Sequence, residues 1–196
     1  MESDLLIDID SDDLSFIKSK KLDFVIANHV IEHVVNPIRF LKKISDNLDK
    51  GGLIFLTVPN MEYTHDINRA FTRYSHLRAE FYLNTKRLSN RHIKDYLKNK
   101  LPVENIHPRT KEYFLNNNLP LSYYDGNTLP LNPFTRMRLY SYHRNRSIHV
   151  HVWSRASFDF FLRRSIDLFK LNFTIKHSLP AESSPGEMIY LLEAIK

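Results

Sequence analysis

The sequence predicts an α/β fold with a parallel sheet, and three neighbouring segments carry that prediction. Leu22–Ala27 (LDFVIA) is a short apolar run rich in Val, Ile and Phe, typical of a buried strand. An amphipathic helix is predicted to begin at Asn36 and Pro37, and Leu53–Val58 (LIFLTV) repeats the strand pattern before Pro59. Strand, helix and strand within about forty residues make a βαβ unit, which implies parallel strands joined by a right-handed crossover.

The predicted helix has a chemical reason for each of its ends. Asn is a favoured N-cap, and Pro fits the first helical position, so Asn36 and Pro37 mark the start. One stripe of the helix is apolar and comprises Ile38, Leu41, Ile44 and Leu48. We expect the helix to stop at Gly51 and Gly52, where left-handed backbone costs least.

Other elements are predicted on both sides of this unit. In chain order they are a strand at Leu5–Ile9 that enters an acidic turn, a loop at 60–76, a short helix at Ser89–Lys100, an alternating strand at Ile148–Trp153, a helix capped by Ser154, and closing strands at Leu171–His177 and Met188–Ala194. Leu101–Asn145 shows no clean period. We therefore predict one domain over residues 1–196, with an irregular basic and aromatic insertion at 79–147.

Composition excludes several classes of protein. The 196 residues include no cysteine, so there is neither a disulfide framework nor a thiolate zinc site. No stretch reaches the roughly 18–20 apolar residues that a membrane helix needs. The acidic N-terminus lacks the basic region of a secretory signal, which favours a cytoplasmic protein.

The net charge of +6 is concentrated in one stretch. Arg78–Lys111 contains nine basic residues against three acidic ones. Such a stretch suits phosphates of nucleic acid or of an activated sugar. A solvated helical face is the simpler interpretation, and we do not expect nucleic acid to be the main partner.

The residues after the two predicted strands form an ordered series of motifs. Asn28-His29-Val30-Ile31-Glu32-His33 follows the first strand, Gly51-Gly52 precedes the second, and Asn60–Thr72 (NMEYTHDINRAFT) comes after Val58-Pro59. In this order they resemble a bacterial group of class I S-adenosylmethionine (SAM)-dependent methyltransferases, often found near glycan-assembly genes. His149–Trp153, followed by a capped helix, is also similar to that group. The resemblance implies a partial Rossmann-like sheet with helices on both faces.

The resemblance also implies a cofactor site at the carboxyl ends of the strands. This is where parallel sheets bind ligands in general. By resemblance, the carboxylate of Asp10 faces the adenine amino group, Ser11 makes an adjacent backbone contact, and Asn28 and His29 border the sulfonium. The implied SAM-binding set comprises Asp10, Ser11, Asp12, Asn28, His29 and Val30. The simpler alternative for the acidic residues is a solvated turn.

Two departures from the group bear on activity. Its members carry a G-x-G-x-G turn that receives the methionyl carboxylate, whereas the four glycines here, at positions 51, 52, 126 and 186, form none. Met61-Glu62 stands where relatives carry Lys-Arg. We expect either an N-terminal truncation relative to the family, with the missing half encoded separately, or a protein that does not bind SAM in the usual way.

Candidate catalytic and substrate-binding residues lie beside this region. His29 and His33 are the predicted general bases, because imidazole titrates near neutral pH, and Glu32 would orient one of them. The resemblance assigns acceptor binding to the segment after the second strand, with Tyr63, Asp66, Arg69 and Thr72. Arg69 would hold a phosphate or carboxylate as a planar fork. Packing for His33 and a surface role for Arg69 are the alternatives.

A zinc peptidase is the sharpest rival interpretation. His29–His33 reads H-x-x-E-H, the zinc signature of inverted metallopeptidases. The two histidines would need one helix face, yet His29 directly follows a buried strand and Asn36-Pro37 starts a separate helix. His149 and His151 share a strand face, where packing or substrate contact is favoured over a metal. We expect no metal.

Two functional hypotheses remain. The first is a SAM-dependent methyltransferase acting on a sugar, glycan or other small acceptor. The second is a catalytically inactive methyltransferase-fold remnant that serves as a binding or partner module. Exposed apolar strand surface would favour the second, because a partner polypeptide would be needed to cover it.

Overall fold

The computed structural model describes residues 8–10, 22–64, 66–98, 115–116, 132–145 and 147–196. Its longer elements are β1 (Leu22–Asn28), α1 (Pro37–Ser45), β2 (Leu48–Pro59), α2 (Tyr74–Tyr82), α3 (Asn90–Lys98), α4 (Pro133–Arg144), α5 (Arg155–Phe169), β3 (Phe173–Ser178) and β4 (Glu187–Ala194). A single 3₁₀ turn, Met61–Tyr63, follows β2. No helix within these ranges is both long and apolar enough to cross a membrane.

The four strands form one mixed sheet in the order β1-β2-β4-β3. β1 and β2 are parallel and joined through α1, as the βαβ prediction requires. β4 runs antiparallel to both β2 and β3. The predicted α/β fold class and the two closing strands are therefore confirmed.

The helix between the parallel strands begins as predicted but ends early. Asn36 caps α1 by accepting a hydrogen bond from Arg39 N at 3.1 Å, and Pro37 follows. α1 ends at Ser45, and β2 begins at Leu48, so the predicted stop at Gly51 is wrong.

Gly51 has a left-handed φ of 80°, but it lies inside β2 at an irregularity in the pairing with β1. A Cβ on its neighbour Gly52 would lie 2.7 Å from Leu48 Cδ2 and 3.0 Å from the Leu22 carbonyl oxygen. The two glycines thus allow a bulged strand rather than a helix end.

The hydrophobic core lies on one face of the sheet. Ala27, Ile54, Leu56, Tyr190 and Leu192 are buried there and form one cluster with apolar residues of α1 and α5. α5 begins where Ser154 accepts from Ser157 N, as predicted, and ends at Lys170 with a left-handed φ of 50°.

The opposite face is open at the β1 end. Phe24 and Ile26 are 51% and 64% exposed, although both are large and apolar. Their registered neighbours on β2, Leu53 and Phe55, are only half-buried. This surface, Phe24, Ile26, Leu53 and Phe55, is called the open sheet face below.

Two sequence predictions in the second half of the chain need correction. Ile148–Trp153 is not a strand; it has one isolated bridge, between Trp153 and Asn60. Its backbone instead bonds to loops: Val150 N donates to Glu32 O at 2.7 Å, and Thr72 N donates to Val152 O at 2.8 Å.

The interval predicted to be irregular also contains ordered helix. α3 matches the predicted short helix, and it buries Ile93, Tyr96 and Leu97. α4 was not predicted; Asn132 caps it through Phe134 N, and Leu139 packs with the buried residues of α3. The predicted strand at Leu5–Ile9 falls largely outside the described residues, as do Ser11 and Asp12.

Candidate active site

The carboxyl ends of β1 and β2 meet at one edge of the sheet and place polar side chains there. Asn28 ends β1, and its amide oxygen accepts a hydrogen bond from the Thr57 hydroxyl of β2. The chain then turns at His29, whose left-handed φ of 50° is uncommon for a residue other than glycine. His29 N donates to Thr57 O at 3.2 Å and holds the turn against β2.

The His29 ring lies between two carboxylates. Its Nε2 is 2.8 Å from Glu187 Oε1, and its Nδ1 is 3.5 Å from Glu32 Oε1. Glu187 begins β4 and was not among the predicted site residues. It is 158 residues from His29, and no local motif marks it, so only the antiparallel pairing of β4 with β2 reveals the contact.

Glu32 is a buried carboxylate at the centre of this region. The residue is 1% exposed, and neither of its side-chain oxygens has a hydrogen bond of acceptable geometry. Burial raises the pKa of Glu32 above its ordinary value of 4.5, and the charges of His149 and His29 only partly oppose that effect. Glu32 is thus held closer to its neutral form than an exposed glutamate.

His33 is oriented as a proton acceptor. Its Nδ1 lies 2.9 Å from the carbonyl oxygen of Ile148, which can only accept, so we assign the proton to Nδ1. The lone pair is then on Nε2, which lies 3.7 Å from Glu32 Oε1. Burial lowers the pKa of His33 below its ordinary 6.5, so the ring is neutral at neutral pH.

A second imidazole is paired with an aspartate beside His33. His149 Nδ1 is 2.5 Å from Asp66 Oδ2, and the rings of His33 and His149 are 4.9 Å apart, edge to face. The Asp66–His149 pair is an orienting arrangement, in which the carboxylate fixes the tautomer and leaves Nε2 as the proton acceptor. We call Glu32, His33, Asp66 and His149 the β-edge cluster.

Arg69 forms a buried ion pair with Asp66. Its guanidinium donates to Asp66 Oδ1 at 2.8 Å, to Asp95 Oδ2 at 2.9 Å and to the His149 carbonyl at 2.9 Å. Arg69 and Asp66 are 3% and 1% exposed. The structure therefore places Arg69 as a brace for the Asp66–His149 pair.

Asp10 connects the predicted cofactor site to α1. Its Oδ1 accepts from the backbone N–H groups of Val35, at 2.9 Å, and Asn36, at 3.4 Å. Burial raises the pKa of Asp10, and these two hydrogen bonds lower it in part. Asp10 and His33 line a cleft of about 460 Å³ together with Asp8, Lys86, Arg87 and Arg144.

The remaining predicted site residues are placed differently. Tyr63 is 63% exposed, and Val30 packs against the core cluster. Thr72 pairs with the 148–153 segment, because its Oγ1 accepts from Val152 N at 3.0 Å. The structure thus joins His33, Asp66 and Arg69 through His149, a residue for which the sequence favoured packing or substrate contact.

Comparison with known proteins gives a family match over just under half of the chain. Residues 6–100, which span β1 to α3 and include Asp10, His29 and His33, match the family model of a methyltransferase domain. The match supports a methyltransferase-like protein and leaves the acceptor open. No curated protein matches the sequence.

One similar solved structure is Haemonchus contortus phosphoethanolamine N-methyltransferase 2, a selenomethionine protein in complex with S-adenosyl-L-methionine. It shares 14% identity, the alignment covers 89% of this chain and 33% of that one, and the TM-score is 0.22. The chain thus spans about a third of that protein's length. A TM-score of 0.22 does not show that the two chains share a fold.

Proposed function

We propose that this protein is a SAM-dependent methyltransferase that acts on a small anionic acceptor, such as a phosphorylated sugar or glycan. The observation that carries the proposal is the methyltransferase-domain match over residues 6–100, which covers the two strands whose ends hold the β-edge cluster. Bound SAM supplies a methyl group that is already activated on a sulfonium, so positioning and proton removal are left to the protein.

The residues of this chain fit the cofactor in part. Asp10 offers a carboxylate, and Asn28 and His29 stand at the end of β1, where parallel sheets bind ligands. The sequence has no G-x-G-x-G turn to receive the methionyl carboxylate. We therefore expect weak binding by this chain alone.

His33 is the proposed general base. A hydroxyl or amine acceptor must lose a proton on methylation, and the neutral Nε2 of His33 is available on the wall of the cleft. Glu32, 3.7 Å away and buried, lies where it can stabilise the imidazolium that forms. Asp66 holds His149 as a second proton acceptor beside it.

The basic residues of the cleft are the basis for the proposed acceptor class. Lys86, Arg87 and Arg144 line the cleft together with the carboxylates of Asp8 and Asp10 and with His33. Arginine and lysine bind phosphate and carboxylate groups through charge-assisted hydrogen bonds. An acceptor with such a group would be held with its reactive hydroxyl toward His33.

Calorimetric titration with S-adenosylhomocysteine tests cofactor binding. We expect a dissociation constant in the micromolar range, about −8 kcal/mol, weakened at least about tenfold by Asp10→Asn. His33→Gln should leave this affinity unchanged, as should the matched control His177→Gln, an exposed histidine of β3. No heat with the wild-type chain at millimolar ligand would reject the proposal for this chain alone.

The open sheet face favours a second candidate function, a module that binds a partner polypeptide. Exposed Phe24 and Ile26 are large apolar groups in an edge strand, where a partner would bury them. Sedimentation velocity with the double variant Phe24→Ser/Ile26→Ser tests it. The module is favoured over the enzyme if the wild-type chain associates and the double variant does not. The wild-type chain should in that case show no binding of S-adenosylhomocysteine.

A further inference from the structure

A second group of histidines surrounds a buried glutamate, away from the β-edge cluster. His76 and Glu80 lie one helical turn apart on α2 and share a face, and His92 lies near the start of α3. His151 reaches the same carboxylate from the 147–153 segment. We call His76, Glu80, His92 and His151 the α2–α3 cluster.

Three donor atoms of this cluster form a compact triangle. His92 Nε2 is 2.7 Å from Glu80 Oε1, His76 Nε2 is 3.4 Å from the same oxygen, and the two Nε2 atoms are 3.3 Å apart. Ligands bound tetrahedrally to zinc at about 2.0–2.1 Å lie roughly 3.3–3.4 Å from each other. The distances from His76 Nε2 to Glu80 Oε1 and to His92 Nε2 match that spacing, and the distance from His92 Nε2 to Glu80 Oε1 is shorter.

The triangle is buried, and its hydrogen bonding is unsatisfied. Glu80 and His92 are 4% and 6% exposed, and neither oxygen of Glu80 has a well-aligned hydrogen bond despite the close nitrogens. A buried carboxylate with two imidazole nitrogens against one of its oxygens is a donor set that a cation would satisfy.

Outer contacts hold the donors in place. His151 Nε2 lies 3.1 Å from the Val35 carbonyl and 3.3 Å from Glu80 Oε2, so its N–H orients the second carboxylate oxygen. His92 Nδ1 accepts from Ser89 N at 3.3 Å and lies 3.2 Å from the Ser89 hydroxyl. Metal binding at Nε2 would therefore require the Nδ1–H tautomer, whose proton the Ser89 hydroxyl can accept. Metal-binding histidines are generally anchored through the other ring nitrogen in this way.

A cavity lies beside two of the three donors. It is about 270 Å³ in volume and is lined by His76, His92 and Asp95, and also by the cationic side chains of Arg73 and Arg91. We expect a water molecule in this cavity as the fourth ligand. Three protein ligands with one open position is a common zinc coordination pattern.

We propose that His76, Glu80 and His92 bind one divalent transition metal ion of the zinc type, with His151 as an orienting residue. Two imidazoles and a carboxylate suit zinc and not the oxygen-seeking magnesium or calcium. The ion would link α2 to α3 and neutralise the buried charge of Glu80. The site is independent of the proposed SAM chemistry, since neither the ligands nor the cavity belongs to the β-edge cluster.

Cobalt titration of the full chain, stripped with chelator, tests the proposal. We expect one equivalent of Co²⁺ to bind with micromolar or tighter affinity and to give the visible absorption of tetrahedral cobalt, which zinc then abolishes by displacement. His76→Gln and His92→Gln should each weaken binding by about 100-fold or more, against the 10- to 100-fold expected for outer residues. The control His177→Gln should bind as the wild type does.

Zinc-dependent melting of the wild-type chain gives a readout that needs no variant. Zinc should raise the melting temperature, and chelator should reverse the rise. Absence of stoichiometric binding or of any zinc-dependent shift would overturn the proposal. So would binding that survives His76→Gln and His92→Gln but is lost in His33→Gln, because the metal would then lie in the β-edge cluster.

Discussion

Two buried glutamates in this protein lie among histidines, yet their pKa values move in opposite directions. Glu32 and Glu80 are 1% and 4% exposed. The pKa of Glu32 is raised, whereas that of Glu80 falls to about 2. Imidazole nitrogens stand 3.5 and 3.7 Å from Glu32, but 2.7 to 3.4 Å from Glu80.

Because the two carboxylates are similarly buried, their imidazole contacts account for the opposite directions of their pKa shifts. Desolvation raises the pKa of both and is the largest single influence on each. At Glu80 the closer imidazoles outweigh it, and at Glu32 the more distant ones do not. The pKa of Glu80 is therefore lowered, and that of Glu32 is raised, although both side chains are buried.

The largest expected effect comes from the residue that lies between the two regions. Arg69→Gln removes the guanidinium that bonds Asp66 of the β-edge cluster and Asp95 beside the α2–α3 cavity. Removing the guanidinium from the buried Asp66, which then keeps only its other contacts such as that with His149, should cost about 3–5 kcal/mol of unfolding free energy in urea. The control Arg164→Gln, exposed on α5, should cost almost nothing. A loss confined to acceptor KM would instead make Arg69 a substrate ligand.

Glu80→Gln should be the next most damaging change. It removes the ionised partner of three imidazoles, so we expect a loss of about 3 kcal/mol at pH 7 in the presence of chelator. Urea unfolding measures it. If the variant were as stable as the wild type or more stable, the imidazole contacts of Glu80 would not compensate for the cost of burying its charge. Glu80 and Glu32 would then not differ in the way proposed.

Glu32→Gln should increase the free energy of unfolding, whereas Glu80→Gln should decrease it. The raised pKa means that the native state binds more protons than the unfolded state, so this carboxylate costs stability as the pH rises through its folded pKa. The variant should therefore be more stable than the wild type at pH 7. Below about pH 4.5 both states of the wild type are protonated and the gain should vanish. An equal gain at pH 4 and pH 7 would contradict this origin.

An exposed ion pair sets the lower end of the scale. Lys42 and Asp46 are one helical turn apart, 2.6 Å from each other and about 40% exposed. Lys42→Ala should change the unfolding free energy by only about 0.3–0.5 kcal/mol, and less in high salt. If Lys42→Ala lost as much unfolding free energy as Glu80→Gln, the exposed ion pair would contribute as much to stability as the buried contacts of Glu80.

Local chemistry predicted much of the fold. The cap at Asn36-Pro37, the cap at Ser154 and the apolar runs of β1 and β2 are short-range signals, and each appears in the structure. The prediction of a strand at Ile148–Trp153 was wrong because an alternating apolar pattern does not indicate which groups the backbone hydrogen-bonds to. Here they pair with Glu32 and Thr72 in loops.

The candidate site was less accessible to sequence reasoning. His29 and His33 stand in a recognisable motif, but Glu187, Asp66 and His149 join them only through tertiary contacts. The α2–α3 cluster has no motif either, since His76, His92 and His151 come from three separate segments. Spacing along the chain cannot predict such convergence unless the packing of the helices is known.

His149 and His151 have a consequence for how substitutions combine. They are separated by one residue yet serve different clusters, and the N–H groups of Val150 and His151 both donate to the Glu32 carbonyl oxygen, at 2.7 and 3.1 Å. About 7 Å of backbone therefore links the two groups. Free-energy changes add only between sites that share no partners, so double variants across these clusters should depart from additivity. A substitution in one cluster should therefore change the free-energy cost of a substitution in the other.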